Sequence, residues 1–398
     1  MEHPSGSEEV CAEVNADGME KLDSYLELAK GCMEAVQKMS SPKFNNEQIR
    51  YLADKLSTVV KSAGLFSEML RCNQHGAHSS SDHVEKWVEI YKLVLALAKQ
   101  IESFVQGCCR DAWVEAAMTL SDVGEYVSSL GFNLELCRVV FREGQCGAMH
   151  CGLTLVEVDG INKAEVESVK QKASMDKDSI LKKVTLELDS SDLAKYLLQR
   201  LVRVHPGPTP KEGNRMGRLF DWVISGSKPK QLGRGASATV YKVMWLGTPV
   251  AKKTFFGSGN VDFLKEVDIL SRLHHPNIMS MFCSTMNKKN CSIIMELMDG
   301  DLFSLMERRC EENSDSPPFS ISEAIDIMLQ VAEGVNYLHT KGIVHRDLKS
   351  MNILVKRVKA LELETGYVQA KVMDFGLSKT KERSATFSNM TYNQGTWR

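Results

Sequence analysis

His345-Arg-Asp-Leu-Lys-Ser-Met-Asn352 is the stretch on which the reading of this sequence turns. It sets a carboxylate, a lysine and a carboxamide close together in a segment too polar to be core. Working outward, Asp374-Phe-Gly376 follows it, and Val250-Ala-Lys-Lys253 precedes it at strand-like spacing. Between the latter two, Phe263-Leu-Lys-Glu-Val-Asp-Ile-Leu270 is a predicted helix that carries Glu266. Furthest upstream, Leu232-Gly-Arg-Gly-Ala-Ser-Ala-Thr-Val240 is glycine-rich, with Ala238 where a third glycine would complete the pattern. Glycine lets backbone amides approach phosphate oxygens closely. Each element alone has a bland counterpart: a turn, a solvated lysine, an exposed helical glutamate, a loop carboxylate.

All five in this order resemble the protein-kinase family, over residue 225 to 398. The resemblance implies an α+β fold and phosphoryl transfer from ATP, a reaction that needs positioning and charge neutralisation more than covalent help. Asp347 would accept the proton of the substrate hydroxyl and Lys349 would stabilise the moving γ-phosphate. Asn352 and Asp374 would hold Mg²⁺, a hard cation suited to oxygen ligands. Lys253, fixed by Glu266, would orient ATP. Leu232, Gly233, Gly235, Val240 and Ala251 would line the nucleotide site. Met295-Glu-Leu-Met-Asp-Gly300 resembles the hinge, about one residue shorter than usual. There Met295 would gate the pocket behind adenine, and backbone groups of Glu296 and Met298 would bind the adenine edge. Lys349 together with Gly395-Thr396 resembles the serine/threonine-specific pattern, and the whole is similar to the tyrosine-kinase-like, Raf and mixed-lineage group.

Two further segments follow from the same resemblance. Lys356 to Tyr367 is read as an extended hairpin loop. Ser384, Thr386, Ser388, Thr391 and Tyr392 form a hydroxyl-rich activation loop, where a phosphate would pair with Arg346. The family's Ala-Pro-Glu element is not found before Arg398. The domain is therefore read as truncated after the activation loop, with an incomplete helical lobe and exposed apolar residues at Ile325, Met328, Leu329 and Val335.

The N-terminal half reads differently. Residues 1–18 are small, acidic and polar, and are expected to be disordered and to carry no secretory signal. Apolar stripes at helical spacing then run through Leu22, Tyr25, Leu26, Ala29, Met33 and Val36, and through Ile49, Leu52, Ala53, Leu56, Val59, Val60, Ala63 and Phe66. A third stripe runs from Val84 to Ile101, with Asp82 and Glu85 resembling a capping box. A fourth helix is expected from Arg110-Asp111 to Arg142. The stretch 146–160 reads as strand or loop, Asn162 and Glu165 as caps of a last helix, and Ser190-Ser191 as its interruption. Several one-striped helices with short connections bury those stripes as a bundle over 19–204. His205-Pro-Gly-Pro-Thr-Pro210 cannot continue a helix, so 205–224 is a linker. The fold class is thus multidomain, an all-α bundle followed by a kinase-like α+β domain with a β-rich N-lobe.

Cys108-Cys-Arg-Asp-Ala-Trp-Val-Glu-Ala-Ala117 and the run to Cys137-Arg-Val-Val-Phe141 resemble the helical domain of plant mixed-lineage-kinase-domain-like proteins. That resemblance implies oligomerisation through the bundle, membrane association, and roles in immunity and cell death.

Charge and composition bound the rest. Lys+Arg 49 against Asp+Glu 51 gives a net charge of −2, which argues against a general nucleic-acid binder. Eleven cysteines in a long chain with no CxxC pair read as reduced thiols in a cytoplasmic protein, recruited to the plasma membrane only if the second resemblance holds. His75, His78 and His83 lie in a polar loop, and neither they nor Cys146, His150 and Cys151 have the pattern of a metal site. No apolar run reaches the roughly 18 residues of a membrane span. Two functions remain: a serine/threonine kinase acting on a protein substrate and regulated by its bundle, or a non-catalytic nucleotide-binding signalling scaffold.

Overall fold

The computed structural model describes residues 6–39, 42–73, 81–145, 154–189, 191–202, 229–256, 261–286, 291–312, 317–358 and 367–380. The chain divides into two compact units, Met1–Trp113 with Val123–Ile180, and Val114–Asp122 with Leu181–Arg398.

The first unit is helical. It contains α1 (Gly6–Lys38), α2 (Asn46–Asn73), α3 (Ser81–Cys108), α5 (Gly124–Gln145) and most of α6 (Leu155–Leu186). α1 packs on α3 and α2 on α5. The expected stripes face inward: Leu22, Leu26, Ala29 and Val36 are buried on α1, and Leu52, Leu56, Val59, Val60, Ala63 and Phe66 on α2. The rings of Phe66, Trp87 and Phe141 cluster with centroids 4.1 to 6.1 Å apart, and Tyr91 meets Phe141 edge-on at 5.4 Å. The Tyr91 hydroxyl satisfies itself by donating to the Ala63 carbonyl at 2.6 Å. Asp176 of α6 caps the start of α2, accepting from the backbone amides of Glu47 at 2.9 Å and Gln48 at 3.0 Å.

Several expected boundaries move. α1 begins at Gly6, inside the stretch expected to be disordered. α3 begins at Ser81, before Asp82. The single fourth helix is two, α4 (Trp113–Leu120) and α5, broken at Ser121-Asp122-Val123, where polar caps and Gly124 favour a turn. α6 starts at Leu155 rather than near Asn162. Thr154 is its cap: the Glu157 amide donates to the Thr154 hydroxyl at 3.3 Å while the Thr154 amide donates to Glu157 at 2.8 Å. Glu165 is instead a buried helix-interior carboxylate that accepts from the Tyr51 hydroxyl and from Lys55 Nζ at 2.8 Å. The histidines at 75 and 78, the Cys146–Cys151 cluster and the 205–224 linker lie outside the described residues.

The second unit also differs from the expected division at 204, because it includes α4 and α7 (Asp192–Val202). Tyr196 of α7 explains this: its ring meets Trp245 edge-on at 4.9 Å, and its hydroxyl donates to the Phe282 carbonyl at 2.8 Å. Arg200 donates to the Met118 carbonyl of α4 at 3.1 Å. These aromatic and buried polar contacts outweigh a helical periodicity that looks the same in both units.

The rest of the unit is built on a five-stranded antiparallel sheet, order β1-β2-β3-β5-β4. Its strands are β1 (Lys230–Arg234), β2 (Ala238–Trp245), β3 (Thr248–Phe255), β4 (Met281–Met286) and β5 (Cys291–Met295), and α8 (Val261–Leu270) packs on β5. β2 and β3 join through Leu246 and Gly247, both at positive φ (51° and 80°), as a two-residue hairpin turn requires. Below lie α9 (Leu302–Glu312), α10 (Ile321–Thr340), a three-stranded sheet of β6 (Gly300–Asp301), β8 (Ile353–Val358) and β9 (Tyr367–Val372), and the pair β7 (Ile343–Val344) and β10 (Lys379–Thr380). β8 and β9 pair through Val358 opposite Tyr367, so Lys356, Arg357, Val358 and Tyr367, expected in a loop, are strand; 359–366 lie outside the described residues. Ile325 and Met328 on α10 are exposed at 52% and 61%, as expected, whereas Leu329 and Val335 are half-buried.

Two predictions arise here. A Cβ on Gly334 of α10 would sit 2.8 Å from the Asn277 carbonyl, a backbone atom that cannot swing aside. Gly334→Ala is therefore expected to destabilise this unit by about 1–3 kcal/mol, read as a lower urea midpoint. An unchanged midpoint would show that the helix slides freely there. His275 is the second case. Burial, aided by the Lys371 charge, lowers its pKa from 6.5 to about 3, so it is neutral when folded. Below pH 6.5 the unfolded chain takes up a proton that the folded chain refuses, so stability falls with pH by up to about 1.4 kcal/mol per unit. Urea unfolding at about pH 7 and about pH 5 should show this loss, and His275→Gln should reduce it by that increment. Equal pH dependence in both proteins would refute the assignment to His275.

Candidate nucleotide-binding and phosphoryl-transfer site

The site begins with the sheet. Cross-strand pairing sets Val240 opposite Lys253 and Ala251 opposite Met295, so these four share one face, the face toward which α8 turns Glu266. Gly233 pairs with Val240 after an irregularity in the ladder at Leu232, and the Gly235 amide donates to the Ala238 carbonyl at 2.9 Å, closing the turn between β1 and β2. Leu232, Gly233 and Gly235 are exposed along this rim, while Ala251 and Met295 are buried.

Lys253 Nζ lies 2.7 Å from each carboxylate oxygen of Glu266 and 3.4 Å from Asp374 Oδ1. Burial by itself would lower the Lys253 pKa. The Glu266 carboxylate, with Asp374 behind it, outweighs that and holds the ammonium above its ordinary range. Burial also raises Glu266, which pulls against the pair. Asp374 favours the charged lysine but also raises Glu266, so it is the symmetric two-oxygen contact that decides for the ionised pair.

The loop between β7 and β8 carries the second cluster. Lys349 Nζ is 2.9 Å from Asp347 Oδ2, and Asn352 Nδ2 donates to the Asp347 carbonyl at 2.7 Å and to its Oδ2 at 3.1 Å. Asn352 is buried on a 3-10 turn, Ser350–Asn352, and its amide nitrogen is committed to Asp347. His345 ties this cluster to the first. Its Nδ1 accepts from the Asp347 amide at 3.3 Å, so its Nε2 carries the proton and donates to the Met373 carbonyl at 2.8 Å. The Met373 amide donates to the Asn352 carbonyl at 2.9 Å. Arg346 and Asp374 both sit at positive φ, 71° and 67°, conformations that a non-glycine residue keeps only where its surroundings enforce them. The buried Phe375 ring, packed 5.4 Å from His345, supplies part of that enforcement.

Thus Lys253, Glu266 and Asp374 meet directly, Asp347, Lys349 and Asn352 meet directly, and His345 with Met373 joins the groups. Met295 ends β5, and Glu296 and Met298 follow before β6, with Met298 buried. The oxygen donors fit a hard divalent cation: Asp374 is 41% exposed, and Asn352 has its nitrogen turned to Asp347. Among the described residues no three His, Cys, Asp or Glu side chains form a metal cage by themselves, so a cation here would complete its shell with phosphate oxygens and water. The activation-loop hydroxyls lie outside the described residues.

Sequence reasoning missed His345 as an organiser and Lys371 altogether. Lys371 gave no signal along the chain: Val368, Ala370 and Val372 alternate with Gln369 and Lys371, the pattern of a strand with one polar face, yet Lys371 is buried.

The comparisons agree with this geometry. Residues 227–397 match the model of the protein kinase domain. The chain is 54% identical over 402 residues to a protein of Ceratodon purpureus described as a light-sensor protein kinase, covering 95% of this chain and 30% of that one. It is 33% identical over 209 residues to the serine/threonine-protein kinase VIK of Arabidopsis thaliana, covering 48% of this chain and 43% of that one. It is 34% identical over 203 residues to the serine/threonine-protein kinase CTR1 of the same plant, covering 48% and 23%. The chain therefore spans less than half the length of each of these relatives. The geometry and the family match together lead to one conclusion: residues 227–397 of this chain are a protein kinase domain.

Proposed function

We propose that this chain is an ATP-dependent protein serine/threonine kinase that transfers the γ-phosphate of Mg-ATP to a hydroxyl of a protein substrate. The observation that carries the reading is Lys253, held at 2.7 Å by both oxygens of Glu266 with Asp374 at 3.4 Å. That arrangement supports Lys253 as the cation that would meet the α- and β-phosphates, beside the carboxylate that would hold the metal. Magnesium held by Asp374 and Asn352 would neutralise phosphate charge. Asp347, within reach of Lys349, would take the proton from the attacking hydroxyl while Lys349 offsets charge on the phosphoryl oxygens, and ADP leaves. The relatives named serine/threonine kinases support the choice of hydroxyl. The first helical unit would regulate or recruit the kinase domain. No described helix is long and apolar enough to cross a membrane.

The test is γ-phosphate transfer from Mg-ATP to a generic protein substrate by residues 1–398, beside Lys253→Met. Wild type should transfer phosphate and the variant should not. Lys253→Met should also unfold at lower denaturant by about 3–5 kcal/mol, because Glu266 is left buried without its cation. Transfer by the variant at the wild-type rate would refute the assignment of Lys253.

A further inference from the structure

Lys371 is only 1% exposed, on a strand whose neighbours Ala370 and Val372 are completely buried. A lysine in such a place is costly unless its charge is met. It is met by Glu296, the first residue after β5: Lys371 Nζ donates to Glu296 Oε1 at 2.7 Å, and the Glu296 side chain is itself only 12% exposed. The same oxygen accepts from the Ser280 amide at 2.9 Å, and the Glu296 amide donates back to the Ser280 carbonyl at 3.2 Å. The side chain and the amide of Glu296 are therefore both held.

The other end of this tie is equally fixed. The Val372 amide donates to the Asn277 carbonyl at 2.8 Å and its carbonyl accepts from Met279 at 3.0 Å, while Met373 is bonded to Asn352. Asp374 follows at once. The Lys371–Glu296 pair is thus a direct side-chain link between the hinge and the strand that delivers Asp374. A nucleotide must satisfy both places together, its base edge at the hinge and its phosphates at Asp374.

We propose that Lys371 is a positioning residue for the nucleotide: through Glu296 it sets the hinge carbonyl and amide groups at a fixed offset from Asp374, so that adenine is read while the phosphates are held. The inference rests on the nucleotide reading above. Lys371 touches no substrate atom; its effect passes through the hinge. A lysine that served only to stabilise the fold would change the folded fraction without changing which base is preferred.

The experiment measures dissociation constants for Mg-ATP and Mg-GTP, at a temperature well below the unfolding midpoint of each protein. The proteins are wild-type 1–398, Lys371→Met, and the double variant Lys371→Met/Glu296→Gln. The double variant removes both charges but keeps an acceptor for the Ser280 amide, so it leaves no unpaired buried carboxylate and carries the test if the single variant does not fold. The expected result is a double variant with stability recovered toward wild type, ATP binding about tenfold weaker, and a smaller ATP-over-GTP preference, the size of one lost charge-assisted hydrogen bond. A double variant with wild-type ATP affinity and wild-type base preference overturns the inference and leaves the proposed function standing. A wild-type protein that binds no ATP overturns both.

Discussion

Asp347→Asn should abolish phosphoryl transfer while leaving ATP binding within about twofold of wild type, a loss in kcat on the order of 10²–10⁴. The substitution is nearly isosteric. An asparagine oxygen can still accept from Asn352 Nδ2 and Lys349 Nζ, now 3.1 and 2.9 Å from Asp347 Oδ2, so the loop should keep its shape. What disappears is the group that accepts a proton, together with the negative charge that holds Lys349 in place. Because the side chain is only 11% exposed, bulk water is poorly placed to substitute as the base. The proposed ATP binding by Lys253 and the hinge would not involve this carboxylate. Single-turnover phosphate incorporation alongside ATP titration separates the two effects. Equal incorporation by wild type and variant would remove Asp347 from the chemistry and favour the scaffold alternative.

Leu56→Glu should have the largest effect on the helical unit. Leu56 is completely buried on α2, between Leu52 and the Val59-Val60 pair, in the row that faces the core. Leu56→Ala would lose the transfer energy of the side chain and leave a cavity, about 2–5 kcal/mol. Glutamate adds the cost of a carboxylate with no cation placed to meet it, and the total approaches the whole stability of a typical domain, about 5–15 kcal/mol. The expected outcome is loss of the cooperative helical transition in far-UV circular dichroism, with Leu56→Ala intermediate. A Leu56→Glu protein with the wild-type transition would mean that α2 does not form the core of this unit.

The helical stripes and the kinase motifs were legible for different reasons. Leu22, Leu52, Leu56 and Trp87 repeat at the helical period, and a one-sided apolar helix has few ways to bury itself. Lys253, Glu266, Asp347, Asn352 and Asp374 stand in a chemically restrictive order, and the structure brings them into two joined clusters. Helix ends were read less well. Asn162 with Glu165 looked like a cap because the spacing fits, but Thr154 with Glu157 offers the same chemistry eight residues earlier, and the longer helix buries Glu165 against Tyr51.

Periodicity and motif spacing are local properties, so the two-part character of the chain, the helical period of its first half, and the order of the kinase motifs are legible along it. The packing of α4 and α7 with the second unit is not local, since Tyr196 on Trp245 and Arg200 on the Met118 carbonyl are contacts between residues far apart in the chain. The Lys371–Glu296 pair is equally invisible along the chain: the alternation of residues 367–372 suits a strand with one solvent face, and the ion pair exists because a partner 75 positions away arrives at 2.7 Å.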